Sequence, residues 1–388
     1  MCRPLRVLQV IESLGPYGAS TNVLRLVRDF DRAAIEVEVA VPAGSELFRA
    51  ETFGVRVHEL PMVRNIRPLR DLSSFVRLRR LLQAGHYDVV HAHSSKAGFL
   101  ARAAAAALGL QDRVAYSPRA YAFLGRKGLS SRLYLALERL AKRWCAATVA
   151  VSSSEAIIAE TRVGVPTDEI HLIPNGVEGR PSEVSGACRT ELRPSLGLPR
   201  SAPLVFFVGR LALQKDPITF LDTARLVRTR HPETRFLVIG EGPLRLQVED
   251  FIERWELSEQ VLLLGERRDV PDLLREAYVC VSTSSFEGLP TAILESFREA
   301  VPVVATDVPG NRDLVEHGKN GLLAPSGNAA ALADGVVLLL ERQDMRQAMA
   351  SAAKETFERW PSPVDAARSH ERLYQILAAR AERAAVRT

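Results

Sequence analysis

The sequence predicts an α/β protein made of two Rossmann-like, doubly wound domains. Short β-branched runs alternate with amphipathic stretches along nearly the whole chain, the pattern of βα units around parallel sheets. The alternation pauses once, at "HLIPNGVEGRPSEVSGACRTELRPSLGLPRSAP", where Pro, Gly and Ser concentrate, as in a linker. A length of 388 residues is too great for one typical domain and suits two buried cores.

Taken in order, the first series of strand runs is "RVLQVIES", "IEVEVAV", "RVHELPM", "DVVHAHS", "RVAYSPRA" and "ATVAVSSS". Helical patterns fall between them, for example Pro68 to Gln83 and Lys96 to Leu108, the latter strengthened by an alanine run of high helix propensity. The boundary is expected near Asn175 and Gly176, giving domains 1–176 and 177–360. The second series is "LVFFVGR", "RFLVIGEG", "VLLLGE", "VCVSTSS", "PVVATDV" and "GLLAP". After Trp360-Pro361 a last helix over 361–388 carries apolar residues at Ala366, Leu373, Ile376 and Leu377. The proline break lets it turn back to the first domain.

Composition excludes several classes. No apolar run approaches the roughly 18 residues of a membrane span. The start, "MCRPLRVLQVIESLG", lacks the apolar core and small-residue cleavage site of a signal peptide, so a cytoplasmic protein is expected. Cys2, Cys145, Cys188 and Cys280 have no metal-ligand or paired spacing and read as reduced thiols. Charge is uneven: residues 1–180 carry 25 Lys+Arg against 17 Asp+Glu, whereas 181–388 carry 26 against 29. The first domain therefore meets anions more readily.

In open parallel sheets, ligands bind beyond the carboxyl ends of the strands. The first strand ends in "ESLGPYGAS", where Gly15 and Gly18 allow backbone amides to approach a phosphate; a plain βα turn is the alternative. In "GRLALQKD", Arg210 and Lys215 are a fork and a point charge able to neutralise a diphosphate, or else two solvated cations. In "SSFEGLPTAILES", Pro290 suits the first turn of a helix, whose amides point back at the loop holding Glu287. Glu295 then lies about 7 to 8 Å along the axis, so the two carboxylates can span a nucleotide-sugar. An exposed helix glutamate is the plainer reading of Glu295.

In this order, and behind "IPNGV", the motifs "GRLALQK", "EGLPTAILE", "PVVATDVPG" and "NGLLAP" resemble the retaining family-4 glycosyltransferases of GT-B fold. That fold places two Rossmann-like domains facing across a cleft. The resemblance implies that Arg210 and Lys215 hold the donor diphosphate and stabilise the leaving nucleotide. Glu287 matches the first glutamate of the family's E-x7-E pattern, near the donor sugar, and Glu295 the second, at the ribose. Amides of Gly288, Leu289, Thr291 and the "GPYG" loop would surround sugar hydroxyls and phosphates, and Arg268 would neighbour the base. Retention is assigned in the family to a front-face mechanism in which the leaving phosphate takes the acceptor proton.

Departures from the pattern matter too. Where relatives often carry a histidine, this chain has Arg119 in "SPRAYAF", expected to touch a phosphate of acceptor or donor. "VVHAHSSKAG" places His91 and His93 on one strand face without a third metal ligand. A site-lining role is expected for His93, packing for His91, and a cleft-facing position for Lys96. "DFD" at Asp29 to Asp31 sits at the wrong sheet end for a metal motif and reads as a polar turn, so metal independence is expected.

"NIRPLRDLSSFVRLRRLL" and "GRKGLSSRLYLALERLAKRW" mix cationic and large apolar residues as interfacial helices do, though helices packed on a sheet look similar. With the charge surplus they support peripheral contact with the inner face of an anionic membrane. Nucleic acid is the poorer explanation of the basic residues, because no recognition motif accompanies them, and no nucleic-acid partner is expected. The expected activity is transfer of a hexosyl or N-acetylhexosaminyl group from a UDP-sugar, a substrate and not a cofactor. The acceptor is a lipid-linked saccharide in bacterial-type surface polysaccharide synthesis. A soluble acceptor, or nucleotide-sugar epimerisation by the same architecture, are the alternatives.

Overall fold

The computed structural model describes residues 3–12, 18–43, 53–63, 66–180 and 192–387. The chain divides into two compact units, residues 1–176 with 361–388, and residues 177–360.

In the first unit β1 (Leu5–Ile11), α1 (Gly18–Asp29), β2 (Ile35–Pro42), β3 (Arg56–Leu60), α2 (Pro68–Gly85), β4 (Val89–His93) and α3 (Ser95–Ala106) come in order. Then follow β5 (Val114–Ser117), α4 (Gly128–Ala141), β6 (Ala147–Ala150), α5 (Ser153–Ile158) and β7 (Ile170–Leu172). Among the described residues the strands pair in parallel in the order β3-β2-β1-β4-β5-β6-β7. The seventh strand is one that the sequence patterning does not reveal: three residues, pairing Thr148 with Ile170, are too few to show a period.

Alternation along β1 divides the core. Val7 and Ile11 pack with Val23 and Val27 of α1 on one face, while Leu8 and Val10 pack with Leu78 and Leu82 of α2 and Ala97 and Ala101 of α3 on the other. On this second face Arg102 is buried, pairs with Glu138 of α4 at 2.7 Å, and lies over the Tyr116 ring. The pair fastens α4 to α3.

The second unit contains α6 (Leu192–Ser195), β8 (Leu204–Val208), α7 (Pro217–Arg228), β9 (Arg235–Ile239), α8 (Arg245–Arg254), β10 (Val261–Gly265), α9 (Val270–Leu274) and β11 (Val279–Ser282). It continues with α10 (Thr291–Arg298), β12 (Val303–Thr306), β13 (Gly321–Ala324), α11 (Ala329–Glu341) and α12 (Gln343–Glu358). Its parallel sheet runs β10-β9-β8-β11-β12-β13, the doubly wound order that reverses direction between β8 and β11. Close backbone contact at the strand ends depends on Gly240: a Cβ there would stand 2.1 Å from the Gly209 carbonyl oxygen.

Beyond Pro361 the chain forms α13 (Pro363–Arg387), which packs on the first unit through Ala366, Ala367, Leu373, Tyr374 and Leu377. Burying Leu373 and Leu377 contributes roughly 2 kcal/mol each. Ile376, expected on the apolar face, is instead 46% exposed, because the helix turns it away from the neighbours of Leu373 and Leu377. Among the described residues no helix is long and apolar enough to cross a membrane.

Candidate functional site

In the second unit, the chain leaves β8 at Val208 and β11 at Ser282, the neighbouring strands between which the sheet reverses. Their following loops are bound together. The Thr283 hydroxyl lies 2.8 Å from both the Lys215 and Asp216 carbonyl oxygens, and the Ser285 amide donates to the Gln214 carbonyl. Asp216 caps α7 by accepting from the Thr219 amide.

That backbone framework brings Lys215 to Glu287, and the two side chains form an ion pair. Glu287 is buried and also accepts from the Ser284 hydroxyl at 2.6 Å. Gly310, with φ +86°, leaves the space on its far side: a Cβ would lie 2.8 Å from the Glu287 Cβ. A recess lined by Lys215, Ser282, Ser284, Pro290 and Ala292 opens at the same place.

Gly288 and Leu289 continue this loop, and α10 begins at Thr291. Pro290, expected in the first helical turn, is the residue before it, with extended backbone (φ −77°, ψ 99°). The first-turn amides still face the loop, and Glu295 follows, partly buried, on α10. The nearby Cys280 thiol is pushed up to about 11, chiefly by burial, with the charge of Glu295 contributing. Arg210 stands at the end of β8, partly buried. Arg268 is exposed in the loop after β10, two strands out from β8, whereas its neighbour Arg267 is held in a two-point pair with Asp269.

In the first unit the reversal lies between β1 and β4. Gly15 falls outside the described residues, and Gly18 opens α1 with nothing within 4 Å of a Cβ position. Lys96 at the start of α3 is anchored to Asp71 at 2.6 Å and to the Val63 carbonyl. Ser94 precedes α3 but makes no side-chain cap bond.

His93, expected to line the site, has no exposed area. Its ring lies 2.7 Å from the Gln9 carboxamide and accepts from Arg119 Nε at 3.1 Å. His91, also fully buried, bonds Tyr374 and Ser117. Burial holds both imidazoles well below their ordinary pKa, so both are neutral. Arg119 is placed by a strained turn in which it and Ala120 have φ of +52° and +76°, conformations that cost roughly 1–2 kcal/mol per residue. Glu155 holds the turn by accepting the Ala120 amide at 2.7 Å. Desolvation lowers the Arg119 guanidinium to about 10, so it remains charged at neutral pH.

Asp29 ends α1, and Asp31 accepts from the Ala33 amide in the turn before β2, away from the carboxyl ends of the strands. Cys145 and Cys280 are buried free thiols; Cys2 and Cys188 lie outside the described residues. No group of three or more His, Cys, Asp or Glu able to hold a metal occurs among the described residues.

Several supporting residues escape the motif reading: Ser284, Gly310, Gln9 and Tyr374. Gly310 sits inside "PVVATDVPG", and a glycine just beyond a strand is the signal that points to close approach. Tyr374, a hydroxyl between Leu373 and Leu377 on the buried stripe of a helix, gives a weaker signal: a buried phenol needs a partner.

Comparison with known proteins fits this architecture. The family model described as "Glycosyl transferases group 1" matches residues 189–356, and that for "Glycosyltransferase Family 4" matches residues 16–178. UDP-Gal:alpha-D-GlcNAc-diphosphoundecaprenol alpha-1,3-galactosyltransferase of Escherichia coli is 32% identical over 277 residues, 69% of this chain and 70% of its own length. The putative glycosyltransferase EpsD of Bacillus subtilis is 26% identical over 334 residues, 84% of this chain and 86% of its own. Among solved structures, Anabaena HepE in complex with UDP and glucose superposes with a TM-score of 0.80 at 21% identity, covering 96% of this chain and 99% of that one.

Proposed function

The chain belongs to the family-4, group 1 glycosyltransferases of GT-B fold, and on that premise we propose that it is a retaining, metal-independent transferase using a UDP-sugar and a lipid-linked saccharide. The observation that carries this reading is the Lys215–Glu287 pair at the reversal of the second sheet, directly before the start of α10.

In the proposed reaction Arg210 and Lys215 bind the diphosphate and neutralise charge as it develops on the leaving phosphate. Glu287 orients the donor sugar, Glu295 holds the ribose, and the amides of Gly288, Leu289 and Thr291 complete the cradle. We assign Arg268 to the base and, as separate proposals for residues of the first unit, Gly15 and Gly18 to sugar or phosphate binding, Arg119 to a phosphate and Lys96 to the acceptor. The bond from the sugar's anomeric carbon to the phosphate oxygen breaks as that carbon bonds the acceptor oxygen on the same face. The acceptor proton passes to the leaving phosphate. Glu287, engaged by Lys215 and Ser284, is thereby relieved of acting as nucleophile.

Support for a UDP donor and a lipid diphosphate acceptor comes from the E. coli relative's name. A Campylobacter jejuni relative, 32% identical over 154 residues, is likewise named for a PP-undecaprenol acceptor. In the first unit two helix starts are exposed and apolar: Leu69 and Leu72 on α2, and Leu129 and Leu133 on α4, each more than half exposed, beside the exposed Arg67 and Arg70, and Arg126, Lys127 and Arg132. Peripheral binding to the inner face of the membrane is the role we assign to them. A soluble acceptor is the second reading, favoured by a relative named as D-inositol 3-phosphate glycosyltransferase, 30% identical over 229 residues.

The test is the melting temperature with UDP, GDP, ADP and TDP, each with and without EDTA, followed by product analysis with the matching sugar donors. A ligand that prefers the folded state must stabilise it, by about 2.7 kcal/mol at a hundredfold excess over Kd. A UDP shift that survives EDTA, with an α-linked product from an α-linked donor, is expected. A shift confined to another nucleotide, loss of the shift with EDTA, or inverted product would overturn the corresponding part.

A further inference from the structure

We propose that Tyr374, on the carboxyl-terminal helix, is a positioning residue that fixes the guanidinium of Arg119 through a buried, directional chain of hydrogen bonds. This rests on the reading above that Arg119 contacts a substrate phosphate.

The direction of the chain follows from its first member. A guanidinium only donates, so Arg119 Nε–H makes His93 Nδ1 an acceptor. The neutral His93 then carries its proton on Nε2 and donates to Gln9 Oε1 at 2.7 Å. That orients the Gln9 amide so that Nε2 donates to the Tyr374 hydroxyl at 2.9 Å. Tyr374 in turn donates to His91 Nδ1 at 2.7 Å, and His91 Nε2–H donates to the Ser117 hydroxyl at 2.8 Å. Each step is compatible with only one tautomer or amide orientation once Arg119 is in place.

The side chains of Gln9, His91, His93 and Tyr374 are all fully buried, so water does not substitute freely for a missing partner. Arg119 is held at a second point by Asn175, which accepts from Nη1 at 2.7 Å. Among the described residues Nη2 is left for a ligand. Nε bound to His93 and Nη1 to Asn175 fix the plane of the fork, and a fork's orientation is what gives an arginine its specificity for phosphate oxygens.

Removing the Tyr374 hydroxyl leaves the Gln9 amide without its acceptor and His91 without its donor. Gln9 then has no reason to keep Oε1 toward His93, and the His93 tautomer that receives Arg119 is no longer enforced.

The experiment has two parts. Nitrogen NMR of the imidazoles in the wild-type chain should show both His91 and His93 as Nε2–H tautomers at neutral pH; an Nδ1–H tautomer at His93 overturns the chain, whether or not any variant folds. A double-mutant cycle then uses Tyr374→Phe and Arg119→Lys, the latter keeping the charge without the fork. Tyr374→Phe should lower turnover about tenfold in the wild-type background and less than twofold in the Arg119→Lys background. If Arg119→Lys leaves turnover intact, the substrate role of Arg119 fails and the positioning role with it. If Arg119→Lys lowers turnover while Tyr374→Phe acts equally in both backgrounds, or not at all, only the positioning role falls.

Discussion

Lys215 and Glu287 form an ion pair across 72 positions of sequence, with side-chain exposures of 23% and 6%. The asymmetry matters. A lysine that keeps one side open can exchange its carboxylate for a diphosphate, whereas the glutamate beneath it stays in place through Ser284. Lys215→Ala is therefore expected to cost about 10²–10³ in kcat/KM for the donor, the scale of losing one charge-stabilising group. Glu287→Gln, which retains size and hydrogen-bonding oxygen, should lose turnover while keeping UDP affinity within a few-fold. Steady-state donor kinetics with UDP titration on both variants separates the roles; unchanged kinetics in folded Lys215→Ala would remove it from the diphosphate site.

Gly310 guards the same carboxylate from behind. With φ +86° and only 2.8 Å between its absent Cβ and that of Glu287, an alanine adds both backbone strain and a clash. Gly310→Ala should destabilise the second unit by about 1–3 kcal/mol and lower turnover together with stability. Denaturant unfolding and activity on one preparation check this. A variant of wild-type stability and activity would mean that the loop yields without disturbing Glu287.

The strands, and the loops that carry Lys215, Glu287 and Glu295, were legible because each leaves a local mark. A β-branched run, a Pro at a helix start, or an E-x7-E spacing lies within a dozen residues, and the second unit's six strands fall on the six runs read from sequence. What escaped is non-local. The three-residue β7 has no period to detect, and Ile376 satisfies a helical apolar pattern yet points outward. The His93 chain joins positions 9, 93, 119 and 374, a closeness created only when α13 returns to the first sheet. Hence a site-lining reading of His93 carries no sign of its buried partners Gln9 and Arg119.

The same burial sets a pH dependence. His370 donates Nδ1–H to the Ala366 carbonyl, and desolvation pushes its pKa down to about 4 from 6.5; His91 and His93 are also depressed. Unfolding frees these rings to bind protons, so the unfolded chain holds more protons between the two pKa values and stability falls as pH drops. The loss begins near pH 6.5 and, for His370, levels off below about pH 4, reaching on the order of 3 kcal/mol from this residue. Urea unfolding from pH 7.5 to 4.5 should show the decline, and His370→Gln should make it shallower. An unaltered slope in the variant would assign the acid sensitivity to other groups.

Membrane contact makes the last prediction. On α4, Leu129, Leu133 and Leu140 are 81%, 54% and 43% exposed and recur at helical spacing, with Arg132, Arg139 and Arg143 exposed beside them. Because the buried Arg102–Glu138 pair anchors the opposite face of that helix, these leucines are free of any role in the core and can be changed without disturbing it. Leu129→Ser with Leu69→Ser should therefore leave the melting temperature within about a degree or two, as surface substitutions do. The pair should nevertheless abolish flotation with anionic vesicles, while neutral vesicles bind neither protein. Turnover on a lipid-linked acceptor in vesicles should fall, and turnover on a detergent-free, short-chain acceptor analogue should not. Undiminished flotation would show that this surface is not the membrane contact. If the wild type itself fails to float but transfers sugar to a soluble acceptor, the second reading replaces the first, and the apolar stripe must serve another partner.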